Sequence, residues 1–198
     1  MTADKIKSLI KKEIEAIRNI PVDGVIDKAI DLILKTAHNK GGKVVVSGMG
    51  KAGQIGHNIS TTLSSTGTTA VFVHPSEAQH GDLGILQEND VLFLISNSGK
   101  TREILELEYL AKRLYPNIPI ISLTGNPDSE LAKISDVVLH TGNPKEICPL
   151  GLTPTTSTTV MTVVGDLLVV MLMERINFTK EEYSKRHHSG YLGQQARK

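Results

Sequence analysis

The 198-residue sequence carries 22 Lys and Arg against 21 Asp and Glu, a net charge of +1, so no surplus of positive charge is available to follow a nucleic-acid backbone. Hydrophobic residues make up 39% and there are 17 glycines, a composition that excludes a disordered or fibrous chain and, at this length, predicts a single domain over residues 1–198. One cysteine, Cys148, cannot form an internal disulfide, and no basic start with an apolar leader opens the chain, the pattern expected of a cytoplasmic protein.

Residues 5–17 place Ile6, Leu9, Ile10, Ile14 and Ile17 on one face among lysines and glutamates, which predicts an amphipathic helix. A second helical pattern follows Pro21, with Val25, Ile26, Ala29, Ile30, Leu32 and Ile33, and ends before Gly41-Gly42. The period then changes. Residues 43–47, 69–73, 91–96, 118–123 and 136–140 are short, continuous apolar runs, the pattern of strands buried on both faces. Helical stretches at 54–64, 101–114 and 129–134 alternate with them, so the fold class is α/β with a doubly wound, five-stranded parallel sheet.

Residues 160–173 form the most apolar stretch. They fall short of the roughly 20 residues needed to cross a bilayer and include Gly165 and Asp166, so a core or subunit-interface helix is expected and no membrane partner. Pro154, followed by Thr155, Thr156, Ser157 and Thr158, is expected to open it, with proline in the first turn and hydroxyls satisfying free amides.

In a sheet of this kind ligands bind beyond the carboxyl ends of the strands. Three of those ends carry turns rich in Gly, Ser and Thr: Ser47-Gly48-Met49-Gly50-Lys51, Ser96-Asn97-Ser98-Gly99-Lys100-Thr101 and Thr124-Gly125-Asn126-Pro127. The first fits G-x-G-x-x-G, yet the following strand runs into His74-Pro75 instead of ending in an acidic residue for a ribose hydroxyl, so a dinucleotide is not expected. The second imitates the end of a P-loop, but Leu94 stands where its first glycine belongs. What remains is three hydroxyls, Ser96, Ser98 and Thr101, and free helix amides, a cradle for one phosphate monoester.

Acids and bases near this edge are Glu77, His80, Asp82, Glu103, Glu146, His187 and His188. Glu103 falls in the first turn after the phosphate loop, where the helix dipole favours a carboxylate. Glu146 follows the last strand in a Gly142-Asn143-Pro144-Lys145 loop. The spacing of His74, His80 and the His187-His188 pair matches no ligand motif, so no metal is expected.

The sequence resembles the sugar isomerase (SIS) domain family, and within it the arabinose-5-phosphate isomerases that feed Kdo synthesis for lipopolysaccharide or capsule. The resemblance is carried by residues 47–53, by 74–84 (His74 to Gly84), by Ser96-Asn97-Ser98-Gly99-Lys100-Thr101-Arg102-Glu103 and by Leu152-Thr153-Pro154-Thr155-Thr156-Ser157-Thr158, and it spans nearly the whole chain. It implies flavodoxin-like strand order, with helices 3–39 and 154–198 as part of the domain. It implies that Ser47, Ser96, Ser98 and Thr101 hold the phosphate, that Gly48, His80, Asn97 and Thr155 also contact the substrate, and that Lys51, Glu103, Glu146 and a C-terminal histidine are catalytic. The family pattern His-Pro-Gly-Gly-x-Leu-Gly reads here as His187-His188-Ser189-Gly190-Tyr191-Leu192-Gly193, which gives His187 the family position and leaves His188 as the substitute. Many relatives add a pair of CBS domains; the sequence ends at Lys198 without one, so regulation through such a module is not expected.

The expected activity is therefore aldose–ketose isomerisation of D-arabinose 5-phosphate and D-ribulose 5-phosphate through an enediol, with no cofactor, in a homotetramer whose sites lie at subunit interfaces. The alternatives are a non-catalytic phosphosugar-binding regulator, which needs the phosphate loop but not Glu103, Glu146 and His187, and an isomerase of another ketose phosphate.

Overall fold

Runs of consecutive Val, Ile and Leu need apolar cover on both faces. In the computed structural model, which describes residues 2–197, they receive it. Strands β1 (Val44–Gly48), β2 (Ala70–Phe72), β3 (Val91–Ile95), β4 (Ile120–Thr124) and β5 (Val137–His140) form one parallel sheet in the order β2-β1-β3-β4-β5. Every residue of β1, β3 and β4 is buried. Val44 and Val46 alternate with Val45 between two apolar layers, one on each side of the sheet. The register pairs Gly48 with Ile95 and Ile95 with Leu123, so the turns that follow β1, β3 and β4 emerge side by side.

Helices α1 (Ala3–Arg18), α2 (Val25–Ile33), α3 (Gly50–Ser65) and α7 (Thr156–Arg175) cover one face. On the other lie α4 (Pro75–Ala78), α5 (Arg102–Leu114) and α6 (Glu130–Lys133). Two short helices, α8 (Lys180–Arg186) and α9 (Gly190–Ala196), follow.

The second helix ends before Gly41-Gly42, as its pattern predicts, after widening past Ile33 into a π turn, Leu34–His38, where the Thr36 hydroxyl donates to Leu32 O at 2.8 Å and competes with the helical ladder. Two expectations need correction. The apolar helix begins at Thr156, with Pro154 outside it, because Glu146 and not a hydroxyl takes its first amides. That helix also has 20 residues, so length does not separate it from a membrane span; among the described residues it is the one helix long and apolar enough to qualify. Val160, Val164, Leu168 and Leu172 sink into the core layer, which marks it as the central helix of that layer.

Candidate active site

Strands β1 and β3 are neighbours although β2 lies between them in sequence, and the helices that follow them, α3 and α5, leave to opposite faces of the sheet. Such a switch point opens a crevice at the carboxyl ends. Here it holds a cavity of about 630 Å³, within the range of small-molecule sites. Met49, Lys51 and Ala52 line it from the β1 turn; Ser96, Asn97, Ser98 and Thr101 line it from the β3 turn.

The β3 turn is held open by its own hydrogen bonds. Gly99 adopts φ 62°, and a Cβ there would clash with the Ser129 hydroxyl, so only glycine lets the turn lie against the neighbouring loop. Its amide donates to Ser96 O and to Ser96 Oγ, both at 3.1 Å, and its carbonyl accepts from Leu131 N. Thr101 occupies the N-cap of α5, yet its hydroxyl pairs with Ser96 Oγ at 2.7 Å and caps nothing. The amides of Arg102 and Glu103, which by position have no intrahelical acceptor, are left for an anion, and the helix dipole favours one there.

Glu146 forms the opposite wall. Its Oε2 accepts from Thr155 N at 2.7 Å, Thr155 Oγ1 at 2.8 Å and Ser157 N at 3.3 Å, so the carboxylate closes the N-terminus of α7 from outside the helix. Among the described residues Oε1 has no partner. Partial burial pushes the Glu146 carboxyl upward, but the hydrogen bonds from Ser157 and Thr155 together outweigh it and hold the group below the usual carboxylate range. Glu146 is thus ionised at neutral pH, one oxygen anchored and the other free. Lys51 and Lys145 add positive charge to the same walls.

The sequence-predicted residues divide. Lys51, Ser96, Asn97, Ser98, Thr101 and Glu146 meet at the cavity. Ser47 does not: it is fully buried and its hydroxyl donates to Val73 O at 2.7 Å, which spends the one hydrogen it could offer a phosphate. Gly48 borders a smaller hollow beside Gly53 and His74. Thr155 touches the site through Glu146, and Glu103 is half-buried in the first turn of α5 without lining the cavity. His80 is exposed beyond α4. His187 stacks on Tyr183 at 3.7 Å, and the adjacent Arg186 borders Ser64, Ser65 and Ala70 near the amino end of β2, the opposite end of the sheet from the cavity. His187 Nδ1 lies 3.0 Å from Tyr183 O; a carbonyl only accepts, so Nδ1 carries the hydrogen and Nε2 is free to exchange one. His188 is exposed. Among the described residues no group of three or more His, Cys, Asp or Glu is placed to hold a metal.

Sequence reasoning missed the wall made by Pro144, Lys145, Leu152, Ser157 and Thr158. Ser157 stood within a hydroxyl run legible as an ordinary helix cap, and the Glu146 contact that redefines it spans a loop.

The SIS domain model matches residues 38–171, and the chain belongs to the SIS domain family. It is 46% identical over 181 residues to the arabinose 5-phosphate isomerase KdsD of Salmonella typhi, covering 91% of this chain and 55% of that protein. The chain spans about half the length of the curated relatives it matches. A crystal structure from Bacteroides fragilis, described as a phosphosugar isomerase involved in capsule formation, superposes with a TM-score of 0.93 at 64% identity, over 95% of this chain and 98% of that one. An Escherichia coli CFT073 protein, c3406, solved in complex with arabinose 5-phosphate, has a TM-score of 0.84 at 35% identity over 94% and 100% of the two chains.

Proposed function

We propose that the chain is an aldose–ketose isomerase that interconverts D-arabinose 5-phosphate and D-ribulose 5-phosphate, supplying Kdo biosynthesis for lipopolysaccharide or capsule. The observation that carries the reading is the half-anchored Glu146 carboxylate facing a phosphate-sized turn across one cavity. The similarity to KdsD over nine-tenths of the chain and the likeness to a structure holding arabinose 5-phosphate favour this substrate.

The chemistry follows from the placement. Ser96, Ser98, Thr101 and the first amides of α5 hold the phosphate, and the sugar extends toward Glu146. Glu146 Oε1 takes the hydrogen from C2 of the aldose as a proton, the electron pair moves into an enediol, and the same proton or one from solvent returns to C1. Lys51 lies on the wall where negative charge develops on the oxygens and stabilises it. A second group must move a proton between O1 and O2, and His187 Nε2 is assigned that role. Because His187 sits at the far end of the sheet in its own chain, it serves the site of a neighbouring copy.

A homotetramer in the cytoplasm fits this arrangement. Ile6, Ile10 and Ile14 on α1 and Leu167 and Val170 on α7 remain exposed, an apolar surface suited to contact between copies.

The test is turnover by the purified protein. Arabinose 5-phosphate should be converted to ribulose 5-phosphate faster than other aldose phosphates in a panel, and free arabinose should be a very poor substrate. Tight binding of the sugar phosphate with no conversion would instead identify a non-catalytic phosphosugar sensor.

A further inference from the structure

Glu13 is a carboxylate of the N-terminal helix that the reaction scheme leaves idle. Its Oε1 accepts from Thr156 Oγ1 at 2.8 Å, while its Oε2 is buried with no partner among the described residues. An unpartnered buried oxygen costs stability, so the contact made by the other oxygen needs an account.

Thr156 has a single hydroxyl hydrogen, and Glu13 receives it. The lone pairs of that hydroxyl are thereby turned to Ile147 N, which donates to Oγ1 at 3.1 Å. Consecutive residues of the loop are therefore fastened to consecutive residues of the first turn of α7. Glu146 is tied through its carboxylate to Thr155 and Ser157, and Ile147 is tied through its amide to Thr156. Without an acceptor at position 13 the Thr156 hydroxyl can rotate and donate elsewhere, and the second tie loosens.

We propose that Glu13 is a positioning residue which, by orienting the Thr156 hydroxyl, fixes residues 146–147 and so keeps the free oxygen of Glu146 at the cavity wall. The inference rests on the reading of Glu146 as the base.

The experiment compares Glu13→Ala, Glu13→Gln, Thr156→Val and Glu146→Gln in the full chain, by steady-state kinetics with arabinose 5-phosphate across pH. Glu13→Ala should lower kcat by ~10-fold, the worth of one lost positioning hydrogen bond, with KM changed by less than ~2-fold because the phosphate turn is untouched. The acid limb of kcat/KM should move to higher pH, since a loosened loop weakens the hydrogen bonds that hold Glu146 ionised. The charged groups that share walls with Glu146 are Lys51 from α3, Lys145 from the loop, and Lys12 and Glu15 from α1. Glu13→Gln, which loses the charge but keeps an acceptor for Thr156, should recover most of the rate and the original limb. Thr156→Val should reproduce Glu13→Ala, and it carries the test if Glu13→Ala does not fold. A folded Glu13→Ala or Thr156→Val with the parent kcat and acid limb, or failure of Glu13→Gln to recover, overturns the proposal. Glu146→Gln separates the two readings: if it is fully active the assignment of the base is wrong, and if it is inactive while Glu13→Ala behaves as the parent, only the role of Glu13 fails.

Discussion

Glu146 shows how neighbours set the charge and placement of one side chain. A loop glutamate is ordinarily solvated and titrates freely; here three donors at the start of α7 hold one oxygen of a carboxylate that lines the cavity. Replacing it with Gln should lower kcat by ~10²–10⁴-fold while sugar-phosphate binding persists, as measured by initial rates and calorimetry. The pH dependence has a defined sign. The proposed base works when deprotonated, and the Glu146 pKa in the fold lies below the ordinary carboxylate value, so kcat/KM should hold down through the usual carboxylate range and fall only at lower pH. If Ser98, which lines the cavity, holds the phosphate as proposed, its binding is shared by substrate and transition state and Ser98→Ala should raise KM more than it lowers kcat. The Ser96 turn was legible in the sequence because a hydroxyl-rich turn between a strand and a helix is a local pattern, whereas Glu146 stood out from an ordinary solvated loop glutamate only through the family resemblance. The burial of Ser47 and the distance of His187 from its own cavity were not legible, because both depend on what the sheet edge and the last helices meet in three dimensions.

Among the elements, the strands were read correctly because a strand buried on both faces leaves an unbroken apolar run, and only their ends moved by a residue or two. The π turn after α2 and the late start of α7 were hidden because each is decided by a side-chain hydrogen bond to the backbone and not by apolar period. One residue outside the site secures the sheet. Asp90, fully buried before β3, accepts from Lys43 N at 2.9 Å, Gln87 N at 2.8 Å and Lys43 Nζ at 2.7 Å, which ties the start of β1 to that of β3. Removing one partner of a buried pair strands the other, so Asp90→Ala should destabilise the fold by about 3–5 kcal/mol in denaturant unfolding. The π turn supplies a second stability test. Burial lowers the His38 pKa, so the folded state prefers the neutral ring that pairs with Thr68 Oγ1 at 3.0 Å. The stability it contributes is complete above the ordinary histidine pKa and is lost as pH falls through the lower folded value, so the acid side of a stability–pH profile should flatten in His38→Gln.

At the scale of the whole molecule, the cavity and the C-terminal histidine lie at opposite ends of one chain, and the exposed isoleucines of α1 with Leu167 and Val170 of α7 offer the surface through which a second chain could join them. Mixed assemblies test this. When inactive Glu146→Gln and His187→Ala proteins are unfolded and reassembled together, shared sites should recover about a quarter of parental activity by random pairing. Confirmed mixed assemblies without recovery would place each site within one chain. Enediol isomerisation by a protein base can be followed by equilibrating arabinose 5-phosphate with the protein in deuterated water, with chelator present, and observing C2 of the aldose by NMR. Deuterium should enter C2 with the parent protein and almost none should enter on the same timescale with Glu146→Gln; turnover without any solvent label, together with a strict metal requirement, would rule out the enediol route and indicate a hydride shift.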